Sequence, residues 1–205
     1  MSTTINIYPT TNIFPLVEET RARSQELFQS LLHQYMIEST IEIKAFYTYA
    51  NYSKLHYAEL DLRWTPGLEI GFSYWIDGKW DSSSWPSCLP VEDDDLITAE
   101  DLIYPFSSKP EHLGQWAIVE EFEDVLPPEV LKKLLAQDHY WSEYRNVATP
   151  AVASIGYGFV AIALAEATNG ILASFDGAFE EPNIQTAQDF LSWWGERHVG
   201  LLLRS

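Results

Sequence analysis

The sequence predicts an α+β fold, an antiparallel meander packed against helices in one domain. Three observations point there: a segment near the start with 3.6-residue apolar spacing, a following stretch of two-residue alternation with turn signals, and a later helix apolar on nearly every side. The 205 residues suit one domain, and their 46% apolar share lies in the ordinary globular range, so a full core can form.

Thr4 to Tyr8 reads as a short first strand. Asn12 and Pro15 then announce a helix from about Pro15 to Ile37, because proline suits the first turn, where its missing N–H has no partner to lose. Val17, Thr20, Ser24, Leu27, Phe28, Leu31 and Tyr35 fall on one stripe, with charged residues opposite. From Ile41 the period becomes two: Ile41, Ile43, Ala45, Tyr47 and Tyr49 alternate with Glu42, Lys44, Phe46 and Thr48. A second strand is expected over Ala58, Leu60, Leu62 and Trp64, followed by Thr65-Pro66-Gly67 and a third over Leu68, Ile70, Phe72 and Tyr74. Asp77-Gly78 marks a tight turn. Asp81 to Pro90 is the most linker-like stretch, and a strand is expected from Trp116 to Phe122. Pro127-Pro128 opens a helix through Gln137. The helix from Ala151 to Ala167 must be covered on all sides, and Asn169-Gly170 stops it because both tolerate the left-handed conformation. A strand over Ile171 to Phe175, a turn at Asp176-Gly177 and a short helix from Thr186 to Trp194 complete the chain.

Charge narrows the partners. Twelve Lys and Arg against 30 Asp and Glu give a net charge of −18. Thirteen of the acids fall between Asp81 and Leu131, against Lys109 alone. Phosphate binding needs clustered Lys and Arg, so direct nucleic-acid binding is disfavoured, whereas an acidic field steers basic proteins toward it. The competing reading is that Glu92 to Asp95 is a solvated loop. The stretch from Ala151 to Ala165 is interrupted by Ser154, Gly156 and Gly158 and falls short of a membrane span, and Met1-Ser2-Thr3-Thr4 lacks the pattern of a secretory leader. A cytoplasmic location with no membrane partner is the expectation.

Motifs for chemistry are sparse. Cys88 is the only cysteine, which excludes an intramolecular disulfide, and it becomes a nucleophile only if a histidine such as His139 or His112 folds against it. The five histidines show no His-x-x-x-His pair, so no metal or other cofactor is expected. Gly156-x-Gly158-x-x-Ala161 matches a dinucleotide fingerprint in letters only: Thr149-Pro150-Ala151 before it makes a poor strand, and the glycines suit close helix packing instead. Ser154-Ile155-Gly156 lacks the strand and elbow of a serine nucleophile. Glu92 to Asp95 lacks the glycine and terminal Glu of a calcium loop. Acidic pairs such as Glu120-Glu121, Glu123-Asp124 and Glu180-Glu181 keep open an enzyme or carbohydrate-binding module that uses carboxylates in an aromatic-lined cleft.

Aromatic residues make up 14% of the chain, and Trp75, Trp80 and Trp85 bracket the start of the acidic region. Exposed aromatics beside fixed charge are the material of interface hot spots, although such rings also fill small cores. The partner-binding candidates are therefore Trp80 and Trp85 as anchors, with Glu92, Asp93, Asp94, Asp95, Glu100 and Asp101 as the electrostatic part. A Trp-rich face pairing with itself, as a homodimer, is a third reading.

The segment from Val152 to Ala167, then Thr168-Asn169-Gly170-Ile171-Leu172-Ala173-Ser174-Phe175-Asp176-Gly177-Ala178-Phe179, then Thr186 to Trp194, resembles the C-terminal end of immunity proteins from bacterial polymorphic toxin systems. The match covers about a quarter of the chain. The resemblance implies a non-enzymatic cytoplasmic protein that blocks a cognate toxin domain by stoichiometric binding, with Asp176 as a structural turn residue. A basic toxin domain is the partner that charge and resemblance together favour.

Overall fold

The computed structural model describes residues 3–48, 55–91, 122, 126–146, 148–179 and 182–203. Four helices and nine strands, in two antiparallel sheets, form an α+β fold among these residues. The strands are β1 (Thr3–Tyr8), β2 (Ile41–Thr48), β3 (His56–Tyr57), β4 (Glu69–Ile76), β5 (Lys79–Ser84), β6 (Ser87–Pro90), β7 (His139–Arg145), β8 (Ile171–Ala173) and β9 (Ile184–Thr186). The helices are α1 (Val17–Gln34), α2 (Pro128–Leu135), α3 (Ala151–Thr168) and α4 (Ala187–Leu202). One sheet runs β6-β7-β1-β8-β9 and the other β3-β2-β4-β5. The expected strands beginning at Ile41 and at Leu68 are β2 and β4 of the second sheet, where they pair directly with each other.

Helix α3 sits at the centre. Residues Val152 to Ala165 are all buried, against α1 and α4 and both sheets. It is longer than its sequence break points suggest: its 18 residues suffice by length and composition to cross a membrane, and 83% of them are buried inside the fold. Two glycines make the packing possible. A Cβ at Gly156 would stand 2.2 Å from the Tyr74 ring of β4, and one at Gly158 would stand 2.0 Å from the Trp194 indole of α4. Asn169, in the left-handed conformation at φ 50°, ends the helix, and the Gly170 N–H returns to the Ala165 carbonyl at 2.7 Å.

Helix α1 buries Val17, Thr20, Ser24, Leu27, Phe28 and Leu31 of the expected stripe and also Leu32, while Tyr35, the last residue of that stripe, is only partly buried at the C-terminal boundary. The outer face of the five-stranded sheet is covered by a second cluster in which Phe122, Ile171 and Ala173 meet Val130, Leu131 and Leu135 of α2. Helix α4 is longer than expected, and Thr186 caps it by accepting from the Asp189 N–H at 3.2 Å.

One expected strand fails: residues 58–64 follow the short β3 without forming a strand, and the Val17 N–H donates to the Leu62 carbonyl and the Trp64 N–H to the Pro15 carbonyl, tying the segment to the start of α1. Asp81 to Pro90, which carries no domain boundary, holds most of β5 and all of β6, one strand path that changes sheets at Trp85-Pro86, where proline has no N–H for a ladder. Strand β7 was not foreseen, because its inward positions are His139, Trp141 and Glu143 and break the apolar alternation. The strand expected over Trp116 to Phe122 lies outside the described residues except for Phe122.

The glycine contacts give a test. Gly to Ala within a helix ordinarily stabilises by up to about 1 kcal/mol, but Gly158→Ala drives a methyl into a buried indole, which costs about 1–3 kcal/mol. Urea unfolding should therefore show a lower midpoint for Gly158→Ala, and a raised midpoint would contradict the packing described.

Candidate functional site: an aromatic cleft on the outer sheet face

The hairpin that builds the site begins at Asp77-Gly78. Both residues have positive φ, 49° and 75°, the type I′ geometry that matches strand twist in a two-residue loop. The Asp77 carboxylate accepts from the Thr40 N–H at 2.8 Å, which anchors the turn and lowers the carboxyl pKa. From this turn β5 returns along β4, but not in regular register. Ser84, Ser83 and Ser82 face Phe72, Ser73 and Tyr74, and then Trp80 faces Trp75, so Asp81 is the extra residue of a β-bulge. The two-residue turn itself pairs Trp80 with Trp75 on the outer face; continued unbroken, the ladder would set Asp81 opposite the inward Tyr74, and the bulge puts Ser82 there instead.

Inward, β4 places Ile70, Phe72 and Tyr74 in the core, and the Tyr74 hydroxyl shares a 2.8 Å hydrogen bond with Ser84 Oγ. Outward, Gly71 provides the floor: a Cβ there would stand 2.5 Å from the Phe46 ring, which lies across it. Trp85 meets that ring edge to face, with centroids 4.7 Å apart. Trp75 is held by two contacts. Its indole N–H donates to Ser73 Oγ at 3.1 Å, and the Lys44 ammonium lies 4.3 Å from its ring centroid. Tyr57, directly opposite Phe46, completes a cleft of about 340 Å³ that Leu55 and His56 also line. Its rim faces solvent: Tyr57 is 72% exposed, Trp80 60% and Trp85 40%.

Of the sequence-derived candidates, Trp80 and Trp85 are thus brought together. Glu92, Asp93, Asp94, Asp95, Glu100 and Asp101 lie outside the described residues, as do the acidic pairs Glu120-Glu121, Glu123-Asp124 and Glu180-Glu181. Phe46, Tyr57 and His56 were not singled out from the sequence. Phe46 carried a readable signal, an aromatic ring at a solvent-facing position of an alternating strand. Among the described residues, no carboxylate lines the cleft.

Away from the cleft, several polar side chains of the described residues are buried. His139, Trp141 and Glu143 share the inward face of β7, and Cys88 pairs directly with Trp141. The His139 Nδ1–H donates to the Asp138 carboxylate at 2.9 Å, leaving Nε2 without a partner. The Cys88 thiol, pushed up to about 12 by burial, is not an activated nucleophile. Glu143 is 1% exposed and both its carboxylate oxygens lack hydrogen-bond partners; burial raises its pKa well above the ordinary value. Tyr74 of β4 and Tyr157 of α3 stand near it, and the Tyr157 hydroxyl donates to the Glu143 backbone carbonyl. His198 is held neutral, down to about 4, by burial first: its Nδ1–H donates to the Trp194 carbonyl and its Nε2 accepts from Arg145 at 3.0 Å. Among the described residues no group of three or more potential metal ligands converges.

The chain matches no protein-family model, no curated protein and no solved structure.

Glu143 and His198 set opposite pH dependences. Glu143, raised in the fold above its ordinary 4.5, keeps a proton that the unfolded chain releases, so its contribution is complete below that value and is lost as pH rises toward the folded value. His198, lowered from 6.5 to about 4, contributes above 6.5 and loses that contribution as pH falls through about 4. Urea midpoints measured across pH should show Glu143→Gln gaining stability relative to wild type as pH rises above 4.5. A constant difference between the two proteins would contradict a buried, unpaired carboxyl.

Proposed function

We propose that the chain is a non-enzymatic binding protein that seats a protein partner on the outer face of its four-stranded sheet and occupies it stoichiometrically. This is the mode of action of the immunity proteins that residues 152–194 resemble, and the partner on this reading is a toxin domain met in the cytoplasm. The observation that carries the reading is the pairing of Trp80 with Trp75 beside the Asp77-Gly78 turn, which leaves most of the Trp80 surface in water. A stable fold gains nothing by exposing tryptophan, tyrosine and leucine rims around one cleft, whereas a complex gains their burial. Their backing by Phe46 and Gly71 keeps the anchors in place before binding, which lowers the entropy lost on association. The net charge of −18 favours a basic partner and speeds its approach.

One observation favours a second reading: about 340 Å³ walled by indole faces is also the scale of a small-ligand cleft, as in a carbohydrate-binding module.

The test is capture from native-host lysate with tagged wild-type protein and with the Trp80→Ala, Trp85→Ala double variant as baits, washed at low and then high salt. Wild type should retain one stoichiometric protein through the high-salt wash. The double variant should lose it, since loss of an anchor worth about 2 kcal/mol weakens binding roughly thirtyfold. Equal recovery by both baits, or no protein retained by wild type, would remove this reading and direct the cleft to a saccharide screen.

A further inference from the structure

We infer that the side chain seated in the aromatic cleft is an arginine guanidinium, presented by a basic segment of the partner. The inference rests on the outer sheet face being the docking surface and adds what that surface recognises. Three observations carry it. The sheet already places a cation on one of its indoles, since the Lys44 ammonium sits 4.3 Å from the Trp75 centroid, with Glu42 3.3 Å from that ammonium. Trp80 and Trp85 present the same type of ring to solvent, and among the described residues no cation covers either. Asp81 occupies the bulge beside Trp80 with its carboxylate accepting from the Ser82 hydroxyl at 2.6 Å, and Glu42, opposite Trp75 across the β2–β4 ladder, shares that face with Lys44.

The shape then selects arginine over lysine. A planar, weakly hydrated guanidinium stacks flat on an indole and still offers its edge N–H groups to a carboxylate, whereas a compact ammonium stays more strongly hydrated. A neutral apolar side chain would gain the ring contact but nothing from the flanking acids.

The probe is a terminally blocked Gly-Gly-Arg-Gly-Gly peptide, compared with its citrulline counterpart, which keeps the planar shape and loses the charge. Binding is read on the indole N–H signals of the whole protein by NMR. The arginine peptide should shift the Trp80 and Trp85 signals saturably and bind about two- to fivefold more tightly than the citrulline peptide. In Trp80→Ala, Trp85→Ala, which leaves the net charge unchanged, the preference for arginine should vanish. The buried Trp64, Trp141 and Trp194 signals should stay in place there and report an intact fold. Equal binding of the two peptides, no shift with either, or an arginine preference that survives the double variant would overturn the inference. Partner capture that still depends on Trp80 and Trp85 while the peptides bind equally would leave the docking surface standing and remove only the cation.

Discussion

The fold depends on one constraint, the need to bury helix α3 from every direction. Its residues are apolar all round, so one sheet face cannot cover it, and two sheets with two further helices close around it. Contact that tight requires two backbones without side chains. Gly156 admits the Tyr74 ring from β4, and Gly158 admits the Trp194 indole from α4. Because Tyr74 points inward to meet α3, its strand neighbours Ser73 and Trp75 point outward. Burial of the helix thereby decides which face of the four-stranded sheet is left to solvent.

That outer face is where the chain departs from a simple buried-in, polar-out pattern. The Asp77-Gly78 turn pairs Trp80 with Trp75 there, and the bulge that follows keeps Asp81 from standing opposite the inward Tyr74 and leaves the acid at the margin of the tryptophans. Apolar area and negative charge then lie side by side, one supplying area to bury, the other orientation and association rate. The glycine floor at Gly71 lets Phe46 and Trp85 pack flat enough to hold the cleft open.

Much of this is legible in the sequence, and the limits have physical causes. Helices α1 and α3 and strands β2 and β4 announce themselves because their periodicity is set by burial on one face or on all faces. The Asp77-Gly78 turn is legible because few residue pairs accept positive φ twice. Strand β5 is not: Lys79-Trp80-Asp81-Ser82-Ser83-Ser84 carries no apolar alternation, and it becomes a strand because the turn and β4 hold it there. Strand β7 hides for the opposite reason, burying a histidine and a glutamate where apolar residues are expected. Trp80 and Trp85 stand out as aromatics in a polar stretch. The two-residue turn fixes Trp80 opposite Trp75, whereas the bulge beyond it, which shifts Ser82 to Ser84 by one position, has no local signature.

The most direct test of the docking surface is hydrogen–deuterium exchange of the chain alone and in complex with the partner it captures. Strands β4 and β5 with the Trp85 corner, residues 69–86, should exchange more slowly in the complex, while residues 187–202 of α4 stay unchanged. Protection confined to other surfaces, with residues 69–86 exchanging as in the free chain, would contradict the assignment of the aromatic cleft as the binding face.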